Sequence, residues 1–177
     1  MKRELGERLQ RLGLPSAEHC IVVSIDQQKL WFFQGDEVER YTVSTARAGR
    51  GCVQDSLQTP DGLHRVCEKV GAEAPAGMVF KARQPTGVLA ADWPKPEDNL
   101  ITSRILWLDG LEPGHNQGLD AEGRVVDTRR RFVYLHGTNQ RSELGRPNSH
   151  GCVLLSDEDV IRLFARVEVG APVLIRA

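Results

Sequence analysis

Apolar positions recur at two different periods along this chain. Near the N-terminus, Leu5, Leu9 and Leu12 are spaced i, i+4, i+7 among charged residues. That spacing predicts a short amphipathic helix ended by Gly13 and Pro15. Its single apolar stripe predicts docking on the body of the protein for stability. From residue 20 the pattern changes. Cys20–Ile25, Lys29–Phe33 and Val38–Thr45 read as strands, and the polar turns Asp26-Gln27-Gln28 and Gln34-Gly35-Asp36 separate them as in a meander. Gly62–Val70, Met78–Arg83, Ile101–Leu108, Arg131–Leu135 and Pro172–Arg176 are further predicted strands. The stretch Gln84–Asn99 carries Pro85, Gly87, Pro94 and Pro96 and reads as a loop walling a site, with Trp93 as its anchor. Ala46–Ser56 and the Gly-rich Asp109–Gly123 also read as loops; His115 and Asn116 in the latter suit turn geometry. Ser156 with Asp159 reads as a capping box opening a second helix, and Val160, Ile161, Leu163, Phe164 and Val167 give that helix one apolar face. The sum is a mainly β domain over residues 20–177 with one or two short helices, preceded by a helical appendage over 1–19.

Composition narrows the function classes. The 177 residues are long enough for one substantial core. Lys+Arg 23 against Asp+Glu 24 leaves a net charge of −1, which gives no reason to expect nucleic acid or a membrane surface as partner. Arg129-Arg130-Arg131, the densest basic run, reads as a solvated strand entrance. No apolar run approaches the roughly 18 residues of a membrane-spanning helix. The opening Met1-Lys2-Arg3-Glu4-Leu5-Gly6-Glu7-Arg8 lacks the apolar core of a secretory signal. The four cysteines, Cys20, Cys52, Cys67 and Cys152, follow no disulfide-framework spacing. Together these predict a cytoplasmic protein with reduced thiols.

The chemistry concentrates near the C-terminal third. Ser149-His150-Gly151-Cys152 supplies a nucleophile and a run of backbone amides, and His136 lies sixteen residues upstream in Tyr134-Leu135-His136-Gly137-Thr138. A cysteine attacks as its thiolate, and a histidine brought close is the usual base for it. Sixteen residues is too far for one helix face but suits a strand, a loop and a return. The alternatives are a structural cysteine and a zinc site of His136, His150, Cys152 and His115. The spacing matches no zinc motif and no second cysteine completes a set, so no metal and no cofactor are expected.

These residues resemble the catalytic domain of the YkuD-type L,D-transpeptidases. The strand ending in His136-Gly137-Thr138, the loop with Leu144-Gly145-Arg146-Pro147, and Ser149-His150-Gly151-Cys152 carry the resemblance. Thr59-Pro60-Asp61-Gly62, Ile101-Thr102-Ser103-Arg104-Ile105-Leu106-Trp107-Leu108, Gly110-Leu111-Glu112-Pro113-Gly114 and the closing Gly170–Ile175 extend it over nearly the whole chain from about Cys20. One position departs: the family usually has Arg or Asn two residues after the cysteine, and here Leu154 stands there. Leucine can neither donate a hydrogen bond nor carry charge. Arg146, Arg141 and Arg104 are the candidates to replace it.

The resemblance implies a β-sandwich-like fold and a cysteine acyl transfer on peptidoglycan stem peptides or muropeptides. Cys152 attacks the carbonyl before D-alanine, His136 moves the proton, the Gly137 carbonyl orients His136, and the His150, Gly151 and Cys152 amides bind the oxyanion, with Ser149 and Arg146 lining the site. Water as acceptor gives an L,D-carboxypeptidase of murein recycling, the expectation that a cytoplasmic location favours. An amine acceptor gives 3→3 cross-links or D-amino-acid exchange. A weakly active peptidoglycan-binding module is the remaining alternative, given Leu154.

Overall fold

Residues 1–177 are described by a computed structural model. The elements, in chain order, are α1 (Lys2–Arg11), β1 (His19–Ser24), β2 (Lys29–Gln34), β3 (Glu37–Thr42), β4 (Gly62–Val70), β5 (Met78–Lys81), β6 (Gln84–Leu89), β7 (Ile101–Gly110), β8 (Tyr134–Gly137), β9 (Val153–Leu155), α2 (Asp157–Arg166) and β10 (Pro172–Arg176). The strands form one sheet in the order β3-β2-β1-β10-β4-β7-β5-β6, and β8 extends it from β7 to β9. The chain just after β3 reaches back to β9: Ser44 N–H donates to Leu154 O at 3.0 Å, and Leu154 N–H returns the bond to Ser44 O at 2.8 Å. The sheet therefore curls until these two distant segments meet, and the interior of the curl holds the main core. No helix is long and apolar enough to cross a membrane.

Strand alternation explains both faces of the central strands. On β1, Ile21 and Val23 point into the main core, whereas Cys20 and Val22 point out, onto Leu5 and Leu9 of α1. β10 repeats the pattern, with Val173 and Ile175 inside and Leu174 under α1. These strands read as continuous apolar runs because both faces are covered. The ion pairs Arg8–Glu112 at 3.1 Å and Arg176–Glu4 at 3.0 Å flank the docked helix.

α2 plugs the curl from below. Ser156 Oγ accepts from Asp159 N–H at 3.1 Å and caps the helix, as its sequence predicts. Val160, Leu163 and Phe164 enter the core, a burial that contributes roughly 5–9 kcal/mol against an extended chain. At the other end Lys69 Nζ donates to Phe164 O at 2.6 Å and Val167 O at 2.7 Å, placing a cation on the negative end of the helix dipole.

Three stretches depart from the sequence expectation. Met78–Arg83 is not one strand: Ala82 and Arg83 both have positive φ, turn the chain, and start β6 inside the stretch expected to be loop. Pro85 is tolerated there because β6 is the sheet edge, where a missing N–H breaks no ladder bond. The strand expected at Arg131–Leu135 begins only at Tyr134, because Phe132 has φ 55 and closes a turn built on Asp127. Beyond Thr42 the expected third strand, Val38–Thr45, is reduced to a single bridge at Ser44, and a second bridge, at Ala46, opens the expected loop.

Candidate active site

β8 and β9 run parallel, with Leu135 opposite Val153 and His136 opposite Leu154. Leu135, Val153 and Leu155 alternate into the core, so Tyr134 and His136 share the other face with Cys152 and Leu154. Cys152 lies one residue ahead of β9, beside Tyr134. Its Sγ accepts from Tyr134 N–H at 3.4 Å and donates to Phe132 O at 3.6 Å. His136 follows two residues along the same face and is buried. Its Nδ1 lies 2.7 Å from Gly137 O, so Nδ1 carries the proton and Nε2 is left as an acceptor with no protein donor. In this resting arrangement Cys152 and His136 are not hydrogen-bonded to each other.

The turn before Cys152 is held from both sides. Asn148 N–H and Ser149 N–H donate to Thr45 O at 2.8 and 2.9 Å, and Arg47 N–H donates to Ser149 O at 3.1 Å. Ser149 Oγ donates to Cys152 O at 2.5 Å and accepts from Gly151 N–H at 3.2 Å. Gly151 takes φ 135, a backbone region open to glycine, and is buried. The Gly151 amide is thus engaged by Ser149, while the His150 and Cys152 amides meet no protein acceptor. Those two remain available to a developing oxyanion.

Burial sets the protonation of the pair. It pushes the Cys152 thiol up to about 11 and the His136 imidazole down to about 4. The Tyr134 amide and the Arg131 guanidinium pull the thiol back down, and the Gly137 carbonyl pulls the imidazole back up, in each case by less. At neutral pH the pair is therefore neutral thiol and neutral imidazole.

The arginines expected to compensate for Leu154 each have another partner. Arg146 pairs with Glu143 at 2.8 Å and Arg141 with Glu158 at 2.8 Å, both at the surface. Arg104 donates to Ala74 O and Ser103 O, both at 2.7 Å. Leu154 itself is buried, beside His136 and hydrogen-bonded through its backbone to Ser44. The guanidinium whose charge lowers the thiol's pKa is that of Arg131, in the run expected to be a solvated strand entrance. It donates to Gly51 O at 3.2 Å and Gln58 O at 2.7 Å and is half-buried. Phe132, at φ 55, ends the arginine run in a turn instead of a strand, a twist that the run Arg129-Arg130-Arg131 does not announce.

Two clefts flank this face. One, about 220 Å³, is lined by Gln54, Asp55, Leu57, Arg131, Phe132 and exposed His150 among others. The other, about 740 Å³, is lined by Met78, Phe80 and Arg83 among others. Phe80 belongs to the apolar cluster with Tyr134 against which Cys152 packs. Arg83 donates to Tyr134 Oη at 3.1 Å and stacks over Trp107 and Phe132, at 4.5 and 5.1 Å from the ring centres. Trp93 anchors its loop as expected, donating to Asp98 at 3.0 Å.

Comparison with known proteins agrees with this fold. A solved L,D-transpeptidase from Mycobacterium smegmatis superposes with TM-score 0.53 at 19% identity, covering 93% of this chain and 61% of its own. L,D-transpeptidase 3 from Mycobacterium tuberculosis, in complex with a faropenem-derived adduct, superposes with TM-score 0.57 at 18% identity, covering 90% and 60%. Among curated proteins, YqjB of Bacillus subtilis (strain 168), named provisionally as an L,D-transpeptidase, is 38% identical over 58 residues, 33% of this chain and 31% of its own length. The chain thus spans about a third of the curated relative and three-fifths of the solved ones. The sequence model of the L,D-transpeptidase catalytic domain matches residues 18–175, from just before β1 to within one residue of the end of β10, and on that extent the chain belongs to the YkuD L,D-transpeptidase family.

Proposed function

We propose that the protein cleaves the bond between an L-configured centre and the terminal D-alanine of a peptidoglycan stem tetrapeptide, through a thioacyl-enzyme on Cys152 resolved by water. The observation that carries the chemistry is the His136 ring, pinned at Nδ1 by Gly137 O with Nε2 bare, on the same strand face as Cys152. The Cys152 sulfur bonds to the carbonyl carbon as its proton passes to His136 Nε2, and the His150 and Cys152 amides receive the oxyanion. The C–N bond then breaks and His136 returns the proton to the D-alanine amine. Water, deprotonated by the same nitrogen, opens the thioester and restores the thiol.

The size of the cleft beside His150 counts against cross-linking: at about 220 Å³ it lies below the roughly 300–1,000 Å³ that encloses a drug-sized ligand, so it suits water or a free amino acid better than a second stem peptide. The larger cleft, with its Phe80 wall and the Arg83 cation, suits a donor peptide bearing carboxylates. Four free thiols, Cys20 and Cys52 among them buried, support a reducing cytoplasm and soluble muropeptides as the substrate pool of murein recycling. Amine acceptors, giving cross-links or D-amino-acid exchange, are the second reading, because they use the same thioester.

Incubation with free tetrapeptide in ¹⁸O-water separates the two. Tripeptide with ¹⁸O in its new carboxylate supports hydrolysis. Unlabelled dimer or exchanged tetrapeptide, with no labelled tripeptide, would overturn it in favour of transfer.

A further inference from the structure

Beside Arg131, which donates to the carbonyl of Gly51, three side chains from distant parts of the chain converge. Cys52 Sγ lies 3.6 Å from Asp61 Oδ1 and 3.8 Å from His115 Nε2, and His115 Nε2 lies 3.1 Å from the same Asp61 Oδ1. Cys52 is buried, Asp61 half-buried and His115 exposed, so the group opens to solvent on one side. We propose that Cys52, Asp61 and His115 form a zinc site, distinct from the catalytic pair, with its fourth position open to water.

The geometry argues for zinc directly. With Zn–S about 2.3 Å and Zn–N or Zn–O about 2.0–2.1 Å, a tetrahedron has S···N and S···O edges of about 3.5 Å and an N···O edge of about 3.3 Å. The three separations here match those edges to within about 0.3 Å, so one cation seated on the triangle reaches all three donors with small adjustments. The donor set, a thiolate, an imidazole and one carboxylate, suits zinc over the all-oxygen preferences of Mg²⁺ and Ca²⁺. Charge also balances. Binding Zn²⁺ releases the Cys52 proton to solvent, and the thiolate and Asp61 carboxylate neutralise the ion. The two neighbouring cations are Arg50, whose Nη1 is 3.8 Å from Asp61 Oδ2, and Arg131, bonded to the carbonyl of Gly51. Both then face a neutral cluster.

The backbone carrying the ligands is fixed. Asn116, fully buried, donates to Asp61 O and Leu63 O, each at 3.1 Å, and accepts from Glu112 N–H at 2.9 Å. Glu112 Oε2 accepts from Leu63 N–H at 2.7 Å. Gly62, at φ 100, lets the two loops touch: a Cβ there would stand 2.1 Å from Glu112 Oε2 and 3.0 Å from His115 Cδ2. Such outer support is what a metal site requires to hold its ligands. Cys52 and Asp61 also bracket the loop whose Gln58 carbonyl receives Arg131 and lies 3.4 Å from where a Cβ on Gly151 would be. A zinc at the foot of this loop braces the wall beside the nucleophile.

The test uses the full chain, stripped by chelator and dialysed, then titrated with Zn²⁺ or Co²⁺. One Zn²⁺ per chain by elemental analysis is expected. The Co²⁺ form should show a thiolate-to-metal charge-transfer band and the intense visible bands of tetrahedral cobalt. The band persists in Cys152→Ala and is lost in Cys52→Ser. His115→Ala, at an exposed position that circular dichroism can confirm as folded, weakens Co²⁺ by about a hundredfold or more, since loss of mere outer-shell support already costs 10–100-fold. Substoichiometric metal in the wild type would overturn the proposal. So would a band that Cys152→Ala removes and Cys52→Ser keeps.

Discussion

Acid should unfold this protein through two buried histidines. His64 and His136 are both fully enclosed, and burial lowers each from the usual value near 6.5 to about 4. His64 is neutral between Gly62 O at 3.1 Å and Thr128 Oγ1 at 3.2 Å. Because the folded values lie below the unfolded ones, the unfolded chain takes up protons first as pH falls. Stability is intact above about 6.5 and drains away between there and about 4. A depression of 2.5 units corresponds to roughly 3 kcal/mol per histidine, so roughly 6–7 kcal/mol for the two. That is comparable to the whole stability of a typical domain, ~5–15 kcal/mol. Urea unfolding, followed by tryptophan fluorescence at half-unit steps from pH 7.5 to 4, measures it. Between about pH 5 and 6 the slope should approach two protons, about 2.7 kcal/mol per pH unit. His64→Gln should halve that slope. Asp120 and Glu158, the carboxylates held below their ordinary range by Arg124 and by the α2 N-terminus with Arg141, titrate beneath this window. A flat profile across the window, or a slope that neither His64→Gln nor His136→Gln changes, would rule out these histidines as the source of the acid instability.

Three further outcomes follow from the site. Alkylation of Cys152 by iodoacetamide should rise tenfold per pH unit up to about pH 11, and Arg131→Met should slow it at every pH below that by removing the cation that holds the thiol down; equal rates in the two proteins would contradict this. Ser149→Ala removes the hydroxyl that bridges Cys152 O and Gly151 N–H, and should lower kcat about tenfold with KM little changed, measured by D-alanine release. Lys69→Met leaves the last carbonyls of α2 without their cation and should cost about 1–3 kcal/mol in urea unfolding, while leaving the pH dependence of Cys152 alkylation unmoved.

The parts of this protein that sequence discloses are those whose logic is local. Ser156 and Asp159 stand three residues apart, so the α2 cap was readable, and so was the face carrying Val160, Leu163 and Phe164. His136-Gly137 and Ser149–Cys152 are each contiguous, and the carbonyl that pins the ring belongs to the next residue. What escaped depends on backbone twists or on long-range closure. Two consecutive positive φ values at Ala82 and Arg83 hide the β5–β6 hairpin, and one at Phe132 turns the end of an expected strand into a turn. The tie between Ser44 and Leu154 joins residues more than a hundred positions apart, and it places a buried leucine where the family usually has a polar group. The triangle of Cys52, Asp61 and His115 spans 63 residues, with no spacing to announce it.

If Cys152 is the nucleophile, intact-protein mass spectrometry after rapid mixing with the free stem tetrapeptide, followed by peptide mapping, shows it most directly. A transient adduct of tripeptide mass is expected on Cys152, absent from Cys152→Ala, which should also release no D-alanine. An adduct mapped to Cys52 or Cys67, or D-alanine release by Cys152→Ala, would contradict that role.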